Sequence, residues 1–193
     1  MASLWIATLL IAVCLASAAD VTLEEDVRNV SSPALPVLKR LKRAGCRETE
    51  EKWHVEGFRE MISEAHRSGK AGKFSHDFTL NGYNAHLKFG LARHDGELWL
   101  GLFLGFCKGH TDQLLAWPFR ARYALMIVHP TDETLDISNT ISSFSTATFG
   151  SFKRPTSGCN YPRGFPKLIR VSEVEKKGYV VGNAISVGVK LNP

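Results

Sequence analysis

From residue 53 onward, apolar residues mostly recur at every second position, the period of a strand with one buried face. Asn84 to Ala92 sets Ala85, Leu87, Phe89 and Leu91 on one face and His86 and Lys88 on the other. Phe119 to Val128 keeps Phe119, Ala121, Tyr123, Leu125 and Ile127 in phase, with Arg120 and Arg122 opposed. Ala184 to Leu191 does the same with Ile185, Val187, Val189 and Leu191. Leu98 to Cys107 is apolar in both phases, which predicts a central strand covered on both sides. Its Gly101 and Gly105 predict a bulge or the close approach of a neighbour. Asp95-Gly96 is a turn signal ahead of this strand. Shorter strands are predicted for Lys52 to Phe58 and Lys167 to Val171. Residues 134–163, rich in Ser, Thr, Asn, Gly and Pro, predict short strands and long loops. Helical spacing occurs once, at Phe58, Met61, Ile62 and Ala65, with Gly69 and Gly72 to end it. Many short strands without sizeable helices between them predict an all-β antiparallel sandwich or barrel.

The first 48 residues follow neither rhythm. Leu4 to Ala19 is an apolar run, too short for a bilayer helix of about 20 residues. It ends in Ala16-Ser17-Ala18-Ala19, and charge begins at Asp20, the pattern of a secretory signal over residues 1–19. No Lys or Arg precedes the run. Residues 20–48 read as a leader carrying the glycosylation sequon Asn29-Val30-Ser31 and the basic run Arg40-Leu41-Lys42-Arg43. That run matches the Arg-x-Lys-Arg sites cut by furin-like convertases; a solvated charge run is the other reading. The domain is expected over residues 49–193, outside the cytoplasm, with no membrane span.

Composition narrows the function. Hydrophobic residues are 44% and charged residues 22% of the 193, enough for one packed domain. The net charge of +5 is spread along the chain, and a secreted, diffusely basic protein does not point to nucleic acid. Beyond Cys14 in the signal, Cys46, Cys107 and Cys159 are an odd set. Cys107, in the most apolar strand, is expected as a buried inert thiol, and Cys159 as a reactive thiol or the partner of Cys46. Without Cys-x-x-Cys or paired-His spacing, no metal site or cofactor is predicted. No Gly-x-Ser-x-Gly elbow, His-Glu-x-x-His helix or phosphate loop is present, so no catalytic residue and no enzymatic activity is expected.

A string of motifs gives a sharper picture. Gly82-Tyr83, Leu87-Lys88, Leu102-Phe103-Leu104 and Lys108-Gly109 precede Asp112, Leu114-Leu115 and Trp117-Pro118-Phe119. Ser151-Phe152-Lys153-Arg154-Pro155, Asn160, Gly164-Phe165-Pro166, Tyr179 and the Ile185–Val189 strand follow in order. This order resembles the C-terminal domain of the TRAF proteins, the receptor-associated factors of the tumour-necrosis-factor pathway, within the wider MATH family. The resemblance covers roughly residues 49–192, with Trp53 and Phe58 as first-strand anchors and Phe74-Ser75 and Phe78 as the second.

The resemblance implies an eight-stranded antiparallel sandwich that binds extended peptide segments of receptors or other partners at a strand edge. It implies a peptide site at Lys88, Asp95, Gly96, Phe149, Gly150, Ser151, Phe152, Arg163 and Gly164. The tyrosine expected two positions after the basic residue is Gly90, and only Ser151 remains of a serine triplet. Losing two ligand-facing hydroxyls removes about 0.5–1.5 kcal/mol each and shifts preference toward acidic or apolar ligands. No RING, zinc-finger or heptad pattern accompanies the domain, so a monomer or weak homotrimer is expected. The other readings are an intracellular adaptor fragment and a MATH scaffold without a peptide site.

Expression of the whole chain in animal cells is expected to release it to the medium, Asn29 glycosylated, beginning at Ala19 or Asp20. N-terminal sequencing with intact mass checks this. A start at Ala44 identifies convertase cleavage, and retention with Met1 in place contradicts the signal.

Overall fold

The computed structural model describes residues 49–144 and 150–192. The leader, Asn29, residues 40–43, Cys46 and Phe149 lie outside them. The described residues open with β1 (Glu50–Glu56), α1 (Phe58–Ser68), β2 (Lys70–Phe74), β3 (Phe78–Leu80), β4 (Tyr83–His94) and β5 (Glu97–Phe106). It continues through β6 (Arg122–Val128), β7 (Ile137–Ser142), β8 (Arg163–Arg170), α2 (Val171–Lys176), β9 (Val180–Val181) and β10 (Ala184–Asn192). Two five-stranded sheets result: β1-β10-β6-β7 with β9 on β10, and β2-β4-β5-β8 with β3 on β4. All pairings are antiparallel. The sheets form the expected antiparallel sandwich, with ten strands among the described residues where the resemblance implied eight.

The apolar phases meet between the sheets. Leu87, Phe89, Leu91, Leu100, Leu102 and Leu104 from one face Leu125, Ile127, Val187 and Val189 from the other, all buried. Each such side chain contributes about 1.5–3 kcal/mol of burial. α1 adds Phe58, Met61 and Ala65. Its start is capped from far away: Asn183 accepts the Phe58 N–H on its carbonyl (3.0 Å) and the Arg59 N–H on Oδ1 (2.8 Å). Asn183 also donates to Glu60, and that bond is the main cause holding the Glu60 carboxyl below its usual range.

One end of the sandwich is closed by the motif around Trp117. Asp112 Oδ2 accepts the Gly109 N–H at 3.0 Å, and the Asp112 carbonyl accepts Trp117 Nε1–H at 3.0 Å. Tyr83 donates its hydroxyl to the Ala116 carbonyl at 2.7 Å. The Trp117–Pro118 bond is cis. Tyr83 meets Trp117 edge-on with centroids 5.0 Å apart, and Phe106 lies 4.4 Å from Phe119. Phe152 completes this cluster, and its carbonyl accepts the Phe119 N–H at 2.8 Å.

Several expectations are corrected. The first strand ends at Glu56, because left-handed Gly57 (φ 74°) turns the chain and Phe58 starts the helix. Gly69 alone ends that helix, while Gly72 is a strand residue. Phe119 precedes its strand rather than starting it, drawn inward by Phe152. β8 begins at Arg163, and α2 follows where only a short strand was expected. Among the described residues no further layer covers the outer phase of β5: Trp99 and Phe103 are only half-buried. Cys107 is no free thiol but is bonded to Cys159, with S–S 2.03 Å. The Lys108 N–H donates to the Gly158 carbonyl and the Asn160 N–H to that of Phe106, both at 2.8 Å, so the cysteines occupy a non-hydrogen-bonded pair where side chains lie close. Closing a loop of 52 residues restricts the unfolded chain by about 4 kcal/mol.

Glycines separate packing demand from open surface. A Cβ at Gly164 would stand 2.0 Å from the Leu102 carbonyl oxygen, whereas at Gly90 its nearest neighbour is 3.7 Å away. Urea unfolding is expected to show Gly164→Ala destabilised by about 1–3 kcal/mol and Gly90→Ala within about 0.5 kcal/mol of the parent. Equal losses contradict the β5–β8 packing.

Candidate functional site

The outer face of the second sheet carries a concavity. Strand pairing aligns Gly72 with Gly90 and Gly90 with Gly101, so three adjacent strands have no side chain along one row. The row on one side is Phe74, Lys88 and Phe103, and the row on the other is Lys70, Ala92, Trp99 and Arg170. Four residues of strand rise separate these flanking rows, about 13 Å. The result is a furrow of about 520 Å³ floored by backbone at Gly72 and Gly90, with the Phe103 ring and Pro166 closing over Gly101, and reaching to Glu64 and Ser68 of α1.

Its walls are apolar and its charge is mostly positive. Lys88 holds its ammonium 5.8 Å from the Phe74 ring centroid and 5.7 Å from that of Phe103. Ring faces attract a cation but leave its hydrogen-bond donors unused. Among the described residues no carboxylate pairs with Lys88. Phe74 is 56% exposed. Trp99 is flanked by Arg170 and Lys167, at 5.1 and 5.9 Å from its ring centroid. Those cations are themselves engaged, Arg170 with Glu97 and Lys167 with Asp95 at 2.7 Å.

The described residues named from sequence are only partly on this face. Lys88 lines the furrow. Asp95 and Gly96 form the β4–β5 turn, with positive φ at both. The bond to Lys167 is the main cause holding the Asp95 carboxyl below its usual range, so the turn is tied to β8. Arg163 and Gly164 open β8 beside Leu104 and Phe103, and Gly164 is demanded by backbone proximity. Gly150 and Ser151 belong to a single 3-10 turn, where the Ser151 carbonyl accepts from Asn160. Phe152 is wholly buried in the aromatic cluster and presents nothing to solvent. Burial pushes the neighbouring Tyr123 phenol above its usual range, against the opposing charge of Arg163.

Sequence reading missed Gly72, Gly101, Phe103, Trp99 and Pro166 as parts of one surface. The available signal was the second apolar phase of Leu98–Cys107, interrupted by glycines. A second constellation also went unseen. Asp77, His86, Cys107 and Cys159 converge beside Phe74, whose ring centroid is 5.1 Å from that of His86. Burial lowers the His86 pKa from its ordinary value, partly opposed by Asp77.

The sequence profile of the TRAF/meprin MATH domain matches residues 73–188. Human TNF receptor-associated factor 2 is 34% identical over 90 residues, covering 46% of this chain and 17% of that protein. Mouse TNF receptor-associated factor 5 is 30% identical over 95 residues, covering 48% of this chain and 17% of that protein. The solved structure of Notothenia coriiceps TRAF5 superposes with TM-score 0.63 at 22% identity, covering 82% of this chain and 81% of that one. The chain belongs to the TRAF/meprin MATH domain family, whose members are protein-interaction modules, and its matches span under a fifth of the two curated relatives. Among the described residues no helix is long and apolar enough to cross a membrane.

Proposed function

We propose that this chain is a secreted MATH module that binds extended segments of partner proteins in the glycine-floored furrow, and catalyses nothing. The observation that carries the reading is Lys88, a cation held between Phe74 and Phe103 at the wall of a groove without side chains on its floor. Such a site favours a segment with an acidic side chain beside small apolar ones. The acid completes the hydrogen bonding that the two rings leave unmet, and the apolar neighbours cover exposed phenyl surface. Backbone contact with the floor tolerates varied sequence, while Lys88 sets the charge preference. Arg163, Gly164 and the β4–β5 turn lie on the same sheet, and they frame the furrow rather than line it.

Export is supported by the apolar Leu4–Ala19 run and by the Cys107–Cys159 bond, since disulfides persist mainly in oxidising compartments. Similarity to TNF receptor-associated factors makes receptors, through segments exposed outside the cell, a source of such partners, with the monomer as the binding unit.

Secreted protein is to be used to capture partners from extracellular fluid, and the recovered segments are to be titrated as synthetic peptides. Lys88→Glu is expected to weaken acidic–apolar peptides at least tenfold, about 1.4 kcal/mol. Gly90→Tyr is expected to block the floor. Both variants should keep the parent's unfolding midpoint. Identical partner sets and affinities for parent, Lys88→Glu and Gly90→Tyr rule out this furrow as the site.

A further inference from the structure

We infer that Cys107 and Cys159, once reduced, form with His86 and Asp77 a binding site for a borderline-soft divalent cation such as Zn²⁺, so that the disulfide is one position of a redox-gated metal site. The four donor atoms already lie within 4.8 Å of one another. His86 Nδ1 is 3.3 Å from Cys107 Sγ and 4.0 Å from Asp77 Oδ1. Asp77 Oδ1 is 3.8 Å from the same sulfur. A tetrahedral zinc with bonds of about 2.0–2.3 Å requires donor–donor edges of roughly 3.3–3.8 Å. Of the six edges, three lie at or within about 0.7 Å of that length, the sulfur–sulfur edge has to open, and the two from Cys159 to His86 and Asp77 lie within 4.8 Å.

The surroundings permit that change. Cys107 is buried at the end of β5, whereas Cys159 is exposed on the loop ahead of β8, so the second sulfur can move. His86 is held flat by its cross-strand neighbour Gly105, where a Cβ would stand 2.5 Å from Nε2. Any other residue at 105 would push the imidazole away, and with it the nitrogen that faces the sulfur. Asp77 keeps its second oxygen on Asn84 Nδ2 at 3.1 Å, which orients Oδ1 toward the cluster. Two thiolates, an imidazole and a carboxylate are a donor set suited to zinc and unsuited to calcium or magnesium.

The redox step balances with an ordinary reductant. A dithiol, or a phosphine in the test, breaks the S–S bond, and the two sulfurs take up two electrons and two protons as thiols. The dithiol closes to its own disulfide; the phosphine takes oxygen from water. The cation then displaces both thiol protons to buffer. Nothing here depends on the furrow or its ligand.

The test uses the full chain carrying Cys46→Ser, oxidised or reduced with a phosphine, titrated with Co²⁺ and then Zn²⁺. The reduced protein is expected to take up one Co²⁺ with the visible bands of a tetrahedral thiolate site, displaced by Zn²⁺, and the oxidised protein to show none. Asp77→Asn and His86→Gln are each expected to weaken binding at least about tenfold. Asp77 is 53% exposed, so its variant keeps the fold even if His86→Gln does not. The inference is overturned by equal uptake in both redox states, by affinity indifferent to Asp77→Asn, or by a reduced protein that unfolds and is not recovered by Zn²⁺.

Discussion

The register of the β4–β5 ladder is the constraint on which the rest of this domain depends. It runs without interruption from Ala85 opposite Phe106 to His94 opposite Glu97. A slip of one residue would exchange Leu87, Phe89 and Leu91 for His86, Lys88 and Gly90 on the core side. Asp95 and Gly96 forbid that slip, because their φ of 53° and 84° commit the connection to a two-residue turn. Leucines therefore face the first sheet, and everything of other chemistry is placed on the opposite side.

That opposite side follows from the same register. Aligning Gly90 with Gly72 and Gly101 empties a row, and aligning Lys88 with Phe74 and Phe103 builds its wall. One pair further along, His86 falls opposite Gly105 and beside the Cys107–Cys159 bond. Among the described residues no further layer covers this face, and its aromatic residues are flanked by cations instead. The border strand β8 offers a guest strand less: Pro166 lacks an N–H, and Lys167 and Arg170 guard the edge. The face, more than the edge, is where a partner segment finds apolar area and an unsatisfied cation.

The long alternating strands were readable because their period survives burial on one side. α1 was readable from its four apolar positions. α2 was not, since Val171 and Val174 are too few to show a helical period. The two apolar phases of Leu98–Cys107 suggested a layer on each side, yet the outer phase is furrow wall and glycine floor. The family motifs mark packing more than binding: Trp117, Phe119 and Phe152 close the end of the core. Of the described residues named as a peptide site, Lys88 alone lines the furrow, because pairing across three strands, not spacing along one, brings the site together. The pairing of Cys107 with Cys159 was hidden for the same reason, as was their convergence with His86 and Asp77.

The central claim is that partners are held on the glycine floor between Phe74, Lys88 and Phe103. Mapping amide shifts of the labelled domain during titration with a captured partner segment tests it most directly. The account predicts the largest changes at Gly72, Gly90 and Gly101, with the β1 and β7 borders of the other sheet silent. Changes centred on β1 or β7, with those three glycines unmoved, would contradict it.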